Sequence, residues 1–125
     1  MKEESISRVA IVLLALVMLT LGIYHFVRPQ NLVVFMPSFL PKGNLWIYIP
    51  GAAFILAAIA FLINKMVKTA AYLLAILLFI FALTIHLPGY LNAGDPDMRT
   101  IEFLNLLKDM AIAAFALYIG ANSSN

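Results

Sequence analysis

Four long, mostly apolar stretches follow one another along this chain, at residues 6–27, 45–64, 69–87 and 101–120. A helix needs roughly 20 apolar residues to cross the hydrocarbon core of a bilayer. Only 11% of the 125 residues are charged, and the mean hydropathy is +1.00. A chain this short has too little interior to hide so much apolar surface from water. The sequence therefore predicts a membrane protein with four transmembrane helices.

The expected fold class is all-α, with an up-and-down bundle of four transmembrane helices that forms a single domain over residues 1–125. Proline and glycine are expected to mark the helix ends. Pro29 closes the first stretch, and Gly120 stops the fourth. Pro88 and Gly89 are predicted to end the third helix at residue 87.

Small residues are concentrated in the second and fourth stretches. Helices in lipid associate by close packing of small side chains. We therefore expect helix–helix contacts at Gly51, Ala52, Ala53, Ala57, Ala58 and Ala60 of the second stretch and at Ala111, Ala113, Ala114 and Ala116 of the fourth.

The segment between the first two stretches, residues 28–44, is unusual for a loop because most of its side chains are apolar. It contains the run 32–36 (LVVFM), and three prolines interrupt it. Such a segment is expected at the membrane interface, or folded back over the helices. Two interpretations follow, an interfacial anchor or a lid over a cavity.

Lysine and arginine residues in the short connections predict the orientation. One side of the membrane would carry four of them and the opposite side three: Lys2, Arg8, Lys65 and Lys68 against Arg28, Lys42 and Arg99. The positive-inside rule then places both termini in the cytoplasm, in a multi-pass protein of a bacterial inner membrane. The basic residues are spread singly, so no nucleic-acid partner is expected.

Polar residues inside the apolar stretches are the best indication of function, because a polar side chain in lipid is costly. His25 and His86 belong to the same membrane side by topology. Glu102, Asn105 and Asp109 share one helical stripe, and Lys108 lies about a quarter turn or more from it. The candidate ligand-binding residues, all near the non-cytoplasmic side, are His25, Arg28, His86, Glu102, Asn105, Lys108 and Asp109.

A structural interpretation stands beside the ligand site. His25 would be an interface residue, His86 would cap the helix carbonyls freed by Pro88, and Lys108 and Asp109 would close the bundle. Adjacent helical residues do not face each other, so Lys108 and Asp109 are expected to pair across helices rather than together.

A quinone head group fits this residue set better than other cofactors, because His and a carboxylate or Lys can hydrogen-bond its two oxygens. Two histidines could also ligate a haem, but nothing in their spacing requires one. Cysteine is absent, which excludes a thiol nucleophile and Cys-ligated redox centres. The sequence indicates no metal site. Catalytic residues stay unknown, and a non-catalytic subunit is favoured over an independent enzyme because no activated nucleophile with a base and an orienting group can be assembled.

Four motifs give the chain a family resemblance. Residues 24–29 (YHFVRP), 36–41 (MPSFLP), 85–88 (IHLP) and 105–109 (NLLKD) resemble, in order, parts of DoxX-type membrane proteins. The resemblance covers nearly the whole chain and implies a four-helix inner-membrane protein with a loose link to redox systems. Members often carry an acidic residue a few positions after a small-Gly pair early in the second span, whereas here residues 50–53 (PGAA) precede Phe54. If that carboxylate forms a polar site in the family, this chain either lacks the corresponding function or supplies the charge from Glu102 or Asp109.

Two functions follow from the sequence. The first is an integral membrane subunit of a quinone-linked redox system, non-catalytic or supplying a quinone or small-ligand site. The alternative is a membrane scaffold or assembly factor with a purely structural polar cluster. A transporter is a third, less favoured class, because no broken mid-membrane helix or charged pore ring is evident. The expected partners are the lipid bilayer and another membrane or redox subunit or a second copy of the chain.

Overall fold

The computed structural model describes residues 2–125, and every regular element within them is helical. Helix α1 covers Glu3–Val27, α2 covers Leu45–Ile63, α3 covers Val67–Asn92 and α4 covers Pro96–Ala121. All four are long and apolar enough to cross a membrane. The sequence prediction of four spanning helices is therefore confirmed at the level of length and composition.

Two helix ends differ from the sequence prediction. Helix α4 begins at Pro96, five residues before the predicted start, because Asp95 caps it and accepts hydrogen bonds from the backbone N–H groups of Asp97 and Met98. Proline at the first helical position fits this start, since it has no N–H to leave unpaired. The sequence prediction missed this extra turn because residues 96–100 are mostly polar, and hydropathy identifies only apolar helical residues.

The predicted end of the third helix at Pro88 is wrong. Helix α3 changes from α-helical to a π-helical turn at Ala82–His86 and then continues as Leu87–Asn92. The backbone N–H of Leu87 bonds the carbonyl of Ala82, five residues earlier. A proline ring clashes with the carbonyl four residues before it in a regular α-helix, and a widened turn is one way for a helix to continue past this position.

The four helices share one apolar core. Its fully buried side chains include Met18 of α1, Phe61 of α2, Leu78 of α3 and Ala116 of α4. Much of the opposite surface is exposed and apolar, as expected of helices surrounded by lipid. The described chain therefore resembles a membrane domain in having apolar residues both inside and outside.

Hydrogen bonds join the start of one helix to the end of another in two helix pairs. Arg8, near the start of α1, donates hydrogen bonds to the carbonyls of Phe61 and Leu62 at the end of α2, at 2.7 and 2.9 Å. Lys68, at the start of α3, donates to the carbonyl of Gly120 at the end of α4, at 2.8 Å. Both cations satisfy carbonyls that a helix C-terminus leaves without partners.

Small residues bring the helices together, as the sequence predicts in part. Gly51, Ala57, Ala58, Ala113 and Ala116 are buried, whereas Ala111 and Ala114 are exposed. The prediction of helix contacts is correct for these buried residues of α2 and α4, and it is wrong for the two exposed alanines of α4. These two lie on the outward face, where their size has no bearing on packing.

Candidate functional site

The π-helical turn at Ala82–His86 places His86 between two carboxylates of α4. Its Nδ1 lies 2.8 Å from Oε1 of Glu102, and its Nε2 lies 3.2 Å from Oδ2 of Asp109. The exposed fractions are only 8% for His86 and 3% for each carboxylate residue. Glu102 and Asp109 are seven residues apart, or two helical turns, so both point to the same side of α4. We call His86, Glu102 and Asp109 the buried triad.

Among residues 2–125 no fully buried side-chain nitrogen or oxygen lacks a hydrogen-bond partner, and this includes those of the buried triad. The carboxylates accept hydrogen bonds, so both imidazole nitrogens serve as donors when both carboxylates are ionised. Lys108 adds a second cation, with its Nζ 3.5 Å from Oδ1 of Asp109. Two carboxylates, one imidazolium and one ammonium sum to zero formal charge. Such pairing is what permits ionisable groups to lie inside an apolar helix assembly.

The structure bears on the predicted pairings of these residues. Asp109 contacts His86 across helices, as expected. Lys108 instead contacts its own neighbour Asp109, so its predicted pairing across helices is wrong. The Lys108 side chain is 46% exposed and long enough to bend back along the helix. His86 does not cap freed carbonyls, because both of its nitrogens face carboxylates.

A glycine makes room for the first carboxylate of the triad. A Cβ atom placed on Gly89 would overlap Oε2 of Glu102 and would lie 2.7 Å from its Cδ. Gly89 is three residues after His86, on the next turn of α3. The absence of a side chain at Gly89 therefore allows the Glu102 carboxylate to reach His86.

The variant Gly89→Ala is expected to lower the free energy of unfolding by about 1–3 kcal/mol, as overpacking does. Glu102 can relieve the overlap only by moving its carboxylate, which would disturb its contact with His86. The measurement is unfolding in mild detergent, followed by circular dichroism. Gly94→Ala is the matched control, because a Cβ at Gly94 has no atom within 4 Å. Equal stability of the two variants would contradict the proposed role of Gly89.

A cavity of about 430 Å³ adjoins the triad. All four helices and the loop before α2 contribute to its wall. Its polar lining is at the α4 side and near the end of α1: Tyr24, His25, His86, Asn105, Lys108 and Asp109. The rest of the wall is apolar, which is the usual composition of a small-molecule site.

The apolar loop covers this cavity. Leu32, Phe35, Met36, Pro37 and Leu40 all line it. The ring of Phe35 meets the ring of His86 edge to face, with 6.3 Å between their centroids. The loop therefore has the position of the lid that the sequence left open as one interpretation. Its outward side chains, such as Phe39 at 74% exposure, remain available to an interface.

His25 is oriented by its own helix. Its Nδ1 lies 2.6 Å from the carbonyl of Leu21, and its ring packs edge to face on Phe54. A carbonyl only accepts hydrogen bonds, so Nδ1 carries the hydrogen of the neutral ring, and Nε2 is left with a lone pair. His25 thus brings a hydrogen-bond acceptor to the cavity wall, whereas Lys108 and the amide of Asn105 bring donors.

The predicted residue set is brought together only in part. His25, His86, Asn105, Lys108 and Asp109 line the cavity. Glu102 lies behind His86 and outside the lining, and Arg28 is exposed at the end of α1. Arg28 leaves the inward face because α1 ends at Val27, where the backbone turns into the loop.

Sequence reasoning missed the aromatic and aliphatic wall of the cavity. Trp46, Phe54 and Phe81 line it together with aliphatic residues of α2 and α3. Their apolar side chains look the same in the sequence whether they face lipid, core or cavity. Trp46 is the single tryptophan of the chain and so provides a fluorescence probe at this site.

Comparison with known proteins adds a family match. The family model described as Domain of unknown function (DUF8561) matches residues 14–119, a range that includes every lining residue of the cavity. No curated protein and no solved structure matches the chain.

Proposed function

The chain belongs to the DUF8561 family, and we propose that it binds a small apolar ligand with a quinone-type head group, as a membrane subunit of a redox system. The observation that carries the proposal is the 430 Å³ cavity, in which a few polar side chains share an otherwise apolar wall. Ligand sites of this kind orient the ligand by a few polar groups and bind it mainly by apolar contact.

The polar wall offers both kinds of hydrogen-bonding group that such a head group uses. Lys108 and Asn105 donate, which suits a carbonyl oxygen of the oxidised form. The Nε2 lone pair of His25 accepts, which suits a hydroxyl of the reduced form. The buried triad supports this wall from behind, because Glu102 and Asp109 hold His86 in one orientation.

The proposed arrangement is an up-and-down four-helix bundle with both termini in the cytoplasm. The contacts of Arg8 with the end of α2 and of Lys68 with the end of α4 support this alternation. These two cations lie at the end of the assembly that carries the termini, as the positive-inside rule favours. The cavity and its lid would then lie in the non-cytoplasmic half of an inner membrane.

The chain would play a supporting part in redox chemistry. It has no cysteine, and its residues offer no electron carrier of their own. Electrons would therefore pass between the ligand and a partner subunit, while this chain binds and orients the ligand. The resemblance to DoxX-type proteins, some of which are associated with quinone-linked oxidoreduction, supports the same assignment.

A scaffold or assembly factor is the second candidate, and one observation favours it. The buried triad is closed, since both nitrogens of His86 are occupied by carboxylates of the same chain. A closed network needs no ligand for its stability. In this case the triad would only hold α3 against α4, and the cavity would be filled by lipid or by a partner side chain.

Native mass spectrometry of the protein extracted in mild detergent separates the two candidates. We expect a retained mass of quinone size in the wild type and its loss in His25→Phe, which keeps an aromatic ring against Phe54 but removes the Nε2 acceptor. Lys108→Met is expected to have the same effect. Lys65→Met is the matched control, because Lys65 lies in the exposed turn between α2 and α3.

The expected loss of quinone affinity in His25→Phe and Lys108→Met follows from the free energy of one hydrogen bond. Loss of one hydrogen bond of about 1.4 kcal/mol weakens binding about tenfold. Titration of the three variants with a short-chain benzoquinone, followed by Trp46 fluorescence, measures this change. A wild-type protein that retains only another protein, and shows no quenching by the quinone, would favour the scaffold.

A further inference from the structure

A second apolar depression of about 270 Å³ runs along the seam between α2 and α3. Ala53 and Ala57 of α2 and Ala70, Leu73 and Leu77 of α3 line it, and it reaches Met66 in the turn that joins the helices. We call it the seam groove. Leu73 is 62% exposed, so the groove opens toward the surface that would face lipid.

The seam groove adjoins the cavity that carries the polar residues. Ala53 and Leu77 belong to the walls of both. Ala53 of α2 and Leu77 of α3 thus mark the boundary between the groove and the cavity. The two depressions therefore share part of their wall, which is what a single molecule occupying both of them would require.

The groove exists because the facing residues are too small to close it. Helix α1 packs against α2 across glycines, and α3 packs against α4 across the core and the buried triad. Along the α2–α3 seam, by contrast, Ala53 and Ala57 of α2 and Ala70 of α3 line the groove. Alanine permits close approach of helices in lipid, yet α2 makes far fewer close contacts with α3 than with α1.

We infer that the seam groove receives the hydrocarbon tail of the ligand whose head group occupies the cavity. The inference rests on the proposed function and narrows it: the ligand is a lipid with a compact carbonyl-bearing head and a long apolar chain. From Leu77 to Thr69 the groove follows α3 for about 12 Å, at 1.5 Å per residue, which suits an extended chain of about decyl length.

The chemistry of the wall favours a tail over other occupants. Thr69 is the single polar residue of its lining among residues 2–125, and its backbone N–H already bonds the side chain of Asn125. No charged side chain of the described chain lines the groove, so a phosphate or sugar head group has nothing to bind there. The ligand would enter sideways from the bilayer, with its tail along the seam.

Two probes test the inference in detergent, a dimethoxybenzoquinone with a decyl chain and the same quinone without a chain. Quenching of Trp46 gives the affinity of each. Ala70→Leu fills the groove but lies outside the cavity lining. Ala114→Leu is the matched control, because it makes the same change on an exposed face of α4. Partition of the probes into detergent is the same for all three proteins.

We expect Ala70→Leu to weaken binding of the decyl quinone by about tenfold or more, a difference readily resolved in Kd, and to leave the chainless quinone unchanged. Ala114→Leu should change neither. A chain-length series on the wild type, in which affinity rises until the groove is filled and then levels off, checks the same inference without a mutation.

The possible failures are distinguishable. If Ala70→Leu binds the decyl quinone as tightly as the wild type does, the tail assignment is overturned. The head-group site still stands in that case, provided that both proteins bind the chainless quinone. Quenching by neither probe would overturn the proposed function and this inference with it. A phospholipid that is retained by the wild type and lost from Ala70→Leu, with decyl quinone binding unchanged, would assign the groove to a structural lipid instead.

Discussion

His86→Ala is expected to lower the free energy of unfolding by about 3–5 kcal/mol, the usual loss when one partner of a buried charge network is removed. The reason is electrostatic. Glu102 and Asp109 are each only 3% exposed and both face the imidazole. Without His86, Glu102 loses its only ionic partner among residues 2–125, and Asp109 keeps only the distant contact with Lys108. Unfolding by sodium dodecyl sulfate, followed by circular dichroism, measures the loss.

The charge explanation can be separated from loss of packing. In a background that carries Glu102→Gln and Asp109→Asn, the same His86→Ala change should cost much less, because no buried carboxylate is left without a partner. The difference between the two backgrounds is the coupling energy of the network. An equal loss in both would show that His86 stabilises the protein by its volume alone.

Gly22→Leu is expected to cost about 3 kcal/mol or more, at the upper end of the range for overpacking. A Cβ at Gly22 would lie 2.7 Å from the carbonyl oxygen of Gly51 and 2.6 Å from Cγ1 of Ile55. The Gly51 oxygen belongs to the backbone of α2, so the overlap cannot be relieved by a side-chain rotation. Helices α1 and α2 would have to separate.

This separation should also reach the candidate site. A Cβ at Gly51 would lie 2.6 Å from Cβ of His25, which shows how closely α2 approaches the residue that offers the Nε2 acceptor. We expect Gly22→Leu to weaken quinone binding as well as stability. Ala111→Leu, on the exposed face of α4, is the control for adding an apolar side chain. Unchanged unfolding in Gly22→Leu would contradict the close crossing of α1 and α2.

The expected losses of stability at Gly89, Gly22 and His86 differ because the atoms next to each position differ in how far they can move. At Gly89 the obstacle is the end of a glutamate side chain, which can move at the expense of one contact. At Gly22 the obstacle is backbone. At His86 the loss is electrostatic, and no movement within the buried triad supplies a new partner. The largest expected effects therefore lie at the helix crossing and in the triad rather than in the open cavity.

The polar part of the candidate site was predictable from polarity alone, whereas its apolar wall was not. In lipid a polar side chain requires a partner, so His86, Glu102 and Asp109 were identifiable without coordinates. Arg28 lies outside the cavity lining and is exposed, because the sequence shows where α1 ends but not which way the backbone turns after it. Lys108 was paired incorrectly because a long flexible side chain can fold back to its neighbour.

The sequence by itself determined that four helices form and that each is long enough to span a membrane, because hydropathy and length act locally along the chain. It also determined which ionisable groups must find partners. Only the tertiary structure decided that α3 continues past Pro88, that both nitrogens of His86 meet carboxylates, and that a cavity and a groove remain. These features depend on distances between helices. Such distances are set by the packing of residues far apart in the chain, such as Gly22 against Gly51 and Gly89 against Glu102, which no local pattern records.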